Sequence, residues 1–166
     1  MAIAYINSDS VLKYYDYFKD QKAVLESKSA KAEADYKNRA QSLQNDFAAY
    51  QRNVNNFTIG QKNAIEEDLT KKQQNLQLFE QSLSQQLMEE ETKMSKLLYD
   101  RITAYLKKYS AEKGFQVVFK FNASSDVLYG GEALDITTPV VAGLNDEYKI
   151  EKSGGKIGSD STSTKK

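Results

Sequence analysis

The chain has no cysteine, no histidine and no tryptophan, and a single proline among its 166 residues. Without cysteine there is no disulfide to staple a small fold and no thiol nucleophile. The absence of histidine removes the usual zinc ligands and the commonest general base. No GxxxxGK[ST] phosphate loop is present. Acidic neighbours such as Glu66 and Glu67, or Glu89 and Glu90, fall on an expected helix surface with no pocket to raise a pKa. These absences point away from catalysis, from a metal centre and from any cofactor. Net charge is missing too. The 23 basic and 23 acidic side chains cancel, leaving no electrostatic reason to expect nucleic acid or an anionic membrane as partner. No apolar run is long enough for stable membrane insertion, and residues 1–15 lack the basic start and apolar run of a signal peptide.

Proline is absent from residues 17–113, and glycine occurs there only as Gly60. In this stretch the apolar residues recur in steps of three and four. Tyr36, Ala40, Leu43, Phe47, Tyr50, Val54 and Phe57 form one seam; Ile65, Leu69, Leu76, Phe79, Leu83, Leu87, Met94 and Leu98 form a second, with polar Lys72 in one seam slot. The two seams mirror each other. Val54 pairs with Ile65, Tyr50 with Leu69, Leu43 with Leu76, Ala40 with Phe79 and Tyr36 with Leu83, their numbers adding to a constant. The spacing predicts a long antiparallel helical hairpin over 17–113, its turn at Ile59 and Gly60 and its tip near 57–61. Each arm of about 40 residues would reach on the order of 60 Å.

Either side of the hairpin the pattern is different. Residues 2–7 are rich in β-formers, and Ser8, Asp9 and Ser10 are candidate caps before an aromatic helix start. After Gly114, a natural helix stop, the period drops to two: Phe115, Val117, Phe119 and Phe121 share one strand face. A second short strand is expected at 127–129, then a short closing helix capped by Thr138 with Pro139 at its first position. From Lys149 the composition predicts a disordered tail over 149–166. Residues 1–16 and 114–148 therefore make a β-rich body of roughly 50 residues, a size at which a single core is marginal. With no disulfide or metal to help, oligomerisation through Ile3, Tyr5, Phe115, Val117, Phe119 and Phe121 is expected. The fold class is α+β, mostly α.

Residues 19–35 favour helix but offer few large apolar groups. Ala23, Ala30, Ala32 and Ala34 would leave a shallow apolar surface suited either to close helix packing or to weak contact with an apolar partner. The glutamines from Gln73 to Gln86 most simply make a solvated helix face.

The segment GFQVVFKFNASSDVLYGGEALDIT, after the hairpin and before the closing helix, resembles the signature of the Skp/OmpH family of periplasmic chaperones. The order of elements is similar to about Tyr148. The resemblance implies a homotrimer with a β-barrel-like body and three helical tentacles around a cavity. It also implies ATP-independent holding of unfolded outer-membrane proteins, and a periplasmic location with the signal peptide removed. The best-known members are strongly basic, whereas this chain is neutral, a departure that bears on electrostatic capture of acidic clients or lipopolysaccharide. The competing reading is a structural or adaptor coiled coil that docks one folded partner.

Overall fold

The computed structural model describes residues 2–155. Six main elements follow in order: β1 (Ile3–Asn7), α1 (Ser8–Tyr14), α2 (Asp16–Asn53), α3 (Ile59–Lys113), β2 (Val117–Phe121) and α4 (Thr137–Lys152), with short 3-10 turns at Val54–Asn56 and Glu132–Leu134. The chain divides into two compact units, Met1–Lys22 with Met94–Lys166, and Ala23–Lys93.

The first unit holds a layered core. β1 and β2 pair in parallel, Ile3 opposite Val117, Tyr5 opposite Phe119 and Asn7 opposite Phe121. Parallel pairing needs a long crossover, supplied here by everything between the strands. Ala4, Ile6 and Val118 turn inward to meet Val11 of α1, Tyr15, Tyr17 of α2, Leu98 of α3, Ile136 just before α4, and Val140, Leu144 and Tyr148 of α4. Ile102, Tyr105, Leu106 and Tyr109 of α3 close around them. Gly143 lets α4 approach, because a Cβ there would overlap the Tyr105 ring.

The sheet has two strands, and 127–131 is extended without strand pairing. A third strand at 127–129 does not form, since the second edge of β1 is already occupied: Tyr5 bridges Asp135, and the Ile136 N–H donates to the Tyr5 carbonyl at 3.0 Å. Gly130 is held instead by its carbonyl, which accepts from the Tyr5 hydroxyl at 3.2 Å.

Helix starts differ from the sequence reading in instructive ways. The Asn7 side chain, rather than Ser8, Asp9 or Ser10, caps α1 by accepting from the Ser10 N–H at 3.0 Å. α1 and α2 are separate, because Tyr15 adopts an extended conformation. Asn145 of α4 mends the break from both sides: its Oδ1 accepts from the Asp16 N–H at 2.8 Å and its Nδ2 donates to the Tyr14 carbonyl at 3.0 Å. α4 begins at Thr137, not after a Thr138 cap, since Asp135 Oδ1 already accepts from the Thr137 N–H at 2.8 Å. Pro139 then sits in the first turn, where its missing N–H costs nothing. α4 continues to Lys152, beyond the Lys149 where composition predicts the tail to begin, because Glu151 and Lys152 are tied to Arg101 and Asp20. Residues 156–166 lie outside the described residues.

In the second unit polar side chains join α2 and α3, and both helices line one groove. Across the unit the partners on α3 fall in reverse order to those on α2: Tyr50 donates to Glu66, Asp46 pairs with Lys72 at 2.8 Å, and Lys28 pairs with Glu90 at 3.0 Å. The connection lies at Val54–Asn56 and the two residues after it, so the turn is not at Ile59 and Gly60, which are already helical. Thr58 and Gln61 form a capping box, the Gln61 N–H donating to the threonine hydroxyl at 3.3 Å and the Thr58 N–H to the glutamine carbonyl at 2.9 Å. Gly114 ends α3 with φ +77°, the left-handed value a glycine stop supplies.

Candidate functional site

Two apolar surfaces and one polar cluster stand out. The first surface is the outward face of the sheet. Strand alternation sets Ile3 and Tyr5 beside Val117, Phe119 and Phe121, away from the core. Tyr5 is buried against Phe121 at 5.3 Å and against Gly130, but Phe119 is 45% exposed and Val117 also open. Phe115 departs from this group: it packs against the core and stacks with Tyr109 at 6.4 Å. Leu128 and Tyr129 in the extended segment stand 95% and 85% exposed. Parallel sheets are normally covered on both faces; here the second face is covered at Tyr5, by Gly130, and open at Val117 and Phe119.

The second surface is on Ala23–Lys93. Of the seam residues, Leu69 is buried, while Tyr36, Leu43, Tyr50, Val54, Ile65, Leu76 and Leu83 are half-buried. Phe47 is 49% exposed although its spacing places it in the seam. Around it lies an open groove of about 620 Å³, lined from α2 by Ala40, Leu43, Gln44, Phe47 and Tyr50 and from α3 by Glu66, Leu69, Thr70, Gln73 and Leu76. The alanines do not share one face. Ala23, Ala30 and Ala34 are exposed, whereas Ala32, about half a turn round the helix, is half-buried.

The polar cluster belongs to the first unit. Arg101 of α3 lies 4.0 Å from the Tyr17 ring and makes two 2.6 Å bonds to the Glu151 carboxylate. Burial opposes its charge, but Glu151 and the Tyr15 hydroxyl outweigh this and raise its pKa above the ordinary arginine value. Asp20 accepts from Lys152 and from the Tyr148 hydroxyl, each at 2.9 Å, and these bonds hold its pKa below the usual aspartate value. Arg101, Asp20 and Asn145 were not singled out by sequence reasoning, because each acts on a partner far away in the chain. Among the described residues no group of three or more acidic, cysteine or histidine side chains is placed to hold a metal, and no helix is long and apolar enough to cross a membrane.

The fold has a solved counterpart. A Caulobacter crescentus protein designated an OmpH-like outer membrane chaperone superposes with a TM-score of 0.79 at 18% identity, over 87% of this chain and 84% of that one. At that identity the likeness concerns the fold. No curated protein matches the sequence. The profile of the family described as outer membrane protein (OmpH-like) matches residues 2–144, nearly all of the described chain, so the resemblance carried by the segment after α3 holds and the protein belongs to the OmpH-like family.

Proposed function

We propose that this protein is a periplasmic, ATP-independent holdase chaperone that keeps unfolded outer-membrane proteins from aggregating. Membership of the OmpH-like family carries the reading. In it α2 and α3 pair as an antiparallel coiled-coil hairpin, a pairing that the reverse order of their cross-helix partners supports. The chain assembles as a homotrimer through the sheet face of Ile3, Tyr5, Val117, Phe119 and Phe121, with Phe115 beneath it; the exposure of Phe119, Leu128 and Tyr129 supports this. Clients are held by many shallow contacts, Ala23, Ala30 and Ala34 among them, and enclosure between several hairpins raises the effective concentration of each contact for the next. No catalytic step is involved, and release needs no nucleotide. Because the chain is neutral, binding depends only modestly on salt.

The test is dilution of a urea-unfolded outer-membrane β-barrel protein into buffer with and without this protein, without ATP, followed by light scattering. Suppressed aggregation at a few-fold molar excess is the expected result. Unchanged aggregation would reject the holdase reading and favour an adaptor coiled coil docking one folded partner.

A further inference from the structure

The groove beside Phe47 has a cause in the sequence. Seam spacing sets Lys72 of α3 opposite Phe47, where an apolar residue would close the seam. The Lys72 ammonium bonds to Asp46 at 2.8 Å and Asp68 at 3.0 Å, and both bonds raise its pKa. Phe47 is left half-exposed, in a groove that Leu43, Leu69 and Leu76 also line.

The groove also lacks a cation of its own. Glu66 is its one charged lining residue, and its carboxylate accepts from the Tyr50 hydroxyl. The nearby Lys72 is already engaged by two carboxylates, so it offers no free cation to an incoming acidic group. Gln44 and Gln73 add neutral amides to the two walls. An acidic segment would lose hydration here without gaining a partner, whereas an apolar one would bury surface against Phe47 and leave its backbone within reach of amides. At about 620 Å³ the groove has the size of a site for a drug-sized ligand, larger than one side chain and far smaller than a folded domain.

We propose, resting on the holdase reading, that this groove is a discrete subsite for a short aromatic or aliphatic segment of an unfolded chain, free of acidic side chains, with Phe47 as its anchor. The chaperone then grips clients at apolar points along the chain as well as by diffuse contact.

The lack of tryptophan makes the test clean, since a tryptophan-bearing peptide can be excited at the red edge of its absorption band, where the chain's tyrosines do not absorb. A neutral peptide with one tryptophan flanked by leucines is titrated with the assembled protein, beside a control in which serines replace the leucines. The expected result is a saturable blue shift for the first peptide and none for the control. Phe47→Ser should weaken binding about tenfold, the scale of one lost aromatic contact. Phe47→Leu should retain most of it. Leu78→Ser, which removes an exposed apolar side chain outside the groove, should change nothing, and circular dichroism checks that each variant keeps its helix content. Wild-type affinity in Phe47→Ser, or an equal loss in Leu78→Ser, would overturn the subsite. The same variants in the aggregation assay separate the two failures. Protection by the wild type with no peptide bound at the groove rejects the subsite alone, and no protection by the wild type rejects the holdase reading.

Discussion

The two units are stabilised by different means. Among the described residues, the buried hydrophobic side chains lie in the unit of Met1–Lys22 and Met94–Lys166, with Leu69 as the exception. There Val11, Tyr15, Val140 and Leu144 are fully buried. On Ala23–Lys93 the seam is half-buried, one of its aromatics is open, and exposed ion pairs join the helices. A protein that combines a closed core with an open seam should separate persistence from adaptability: the first unit is expected to resist unfolding, and the second to open locally at lower cost.

The sharpest way to test this contrast is to remove one leucine from each unit. Leu144→Ala should cost about 2–5 kcal/mol, since the close-packed core cannot collapse into the space left behind. Denaturant unfolding measures it. Asn145→Ala should come next, at about 1–3 kcal/mol, because it strands both the Asp16 N–H and the Tyr14 carbonyl. Asn145→Asp should restore part of the loss, as a carboxylate accepts from Asp16 but cannot donate to Tyr14. Leu69→Ala should cost only about 1–2 kcal/mol: it loses burial, but water from the adjoining groove fills the space. Hydrogen exchange should show this last effect on residues 23–93 and leave β1 and α4 unchanged. Equal costs for Leu69 and Leu144 would mean that the two units are packed alike.

Acid should act on the core unit through Asp20. Its folded pKa lies below the reference 3.8, held there first by Lys152 and then by Tyr148. The stabilisation is therefore present above the unfolded value and is lost as pH falls through the folded one. With no histidine in the chain, stability should be nearly flat around neutrality and decline below about pH 4. Asp20→Asn should remove part of that decline. An unchanged acid limb in Asp20→Asn would show that the contact of α4 with the root of α2 does not depend on this charge.

Legibility in the sequence followed the range of the interactions. The helical stretches were readable because their spacing is local and Gly114 is an unambiguous stop. Gly60 misled: glycine is the usual mark of a turn, yet the T-x-x-Q box of Thr58 and Gln61 starts a helix through it. That signal was present and outranks a lone glycine. The break at Tyr15 could not be read, because the group that makes it affordable is Asn145, more than a hundred residues away. The strand at 127–129 failed for a similar reason: its residues suit a strand, but Asp135 takes the edge of β1. At the candidate site, the seam positions and the odd placement of Lys72 were visible, whereas the consequence, an open Phe47, depends on where Asp46 and Asp68 pull the ammonium. Composition placed the tail too early because Lys149, Glu151 and Lys152 look solvated until Arg101 and Asp20 are set beside α4.

The smallest effect expected is that of the Lys28 and Glu90 pair, and it refines the comparison most. Both side chains are exposed, and such pairs contribute little because water and salt screen them. Here, however, the seam is at its poorest: α2 carries alanines and serines over 23–34, and Lys28 is what lowers the pKa of Glu90. If exposed pairs matter anywhere in this protein, they matter on this stretch. Lys28→Glu should raise hydrogen exchange over residues 24–32 and 86–93 modestly, and the swap Lys28→Glu with Glu90→Lys should return it to the wild-type level. Raising sodium chloride from about 0.1 M to about 1 M, which shortens the screening length from roughly 10 Å to 3 Å, should reduce the difference between single variant and wild type. Exchange in Lys28→Glu equal to wild type at low salt would mean that small residues alone hold this stretch together. The open seam would then owe nothing to charge.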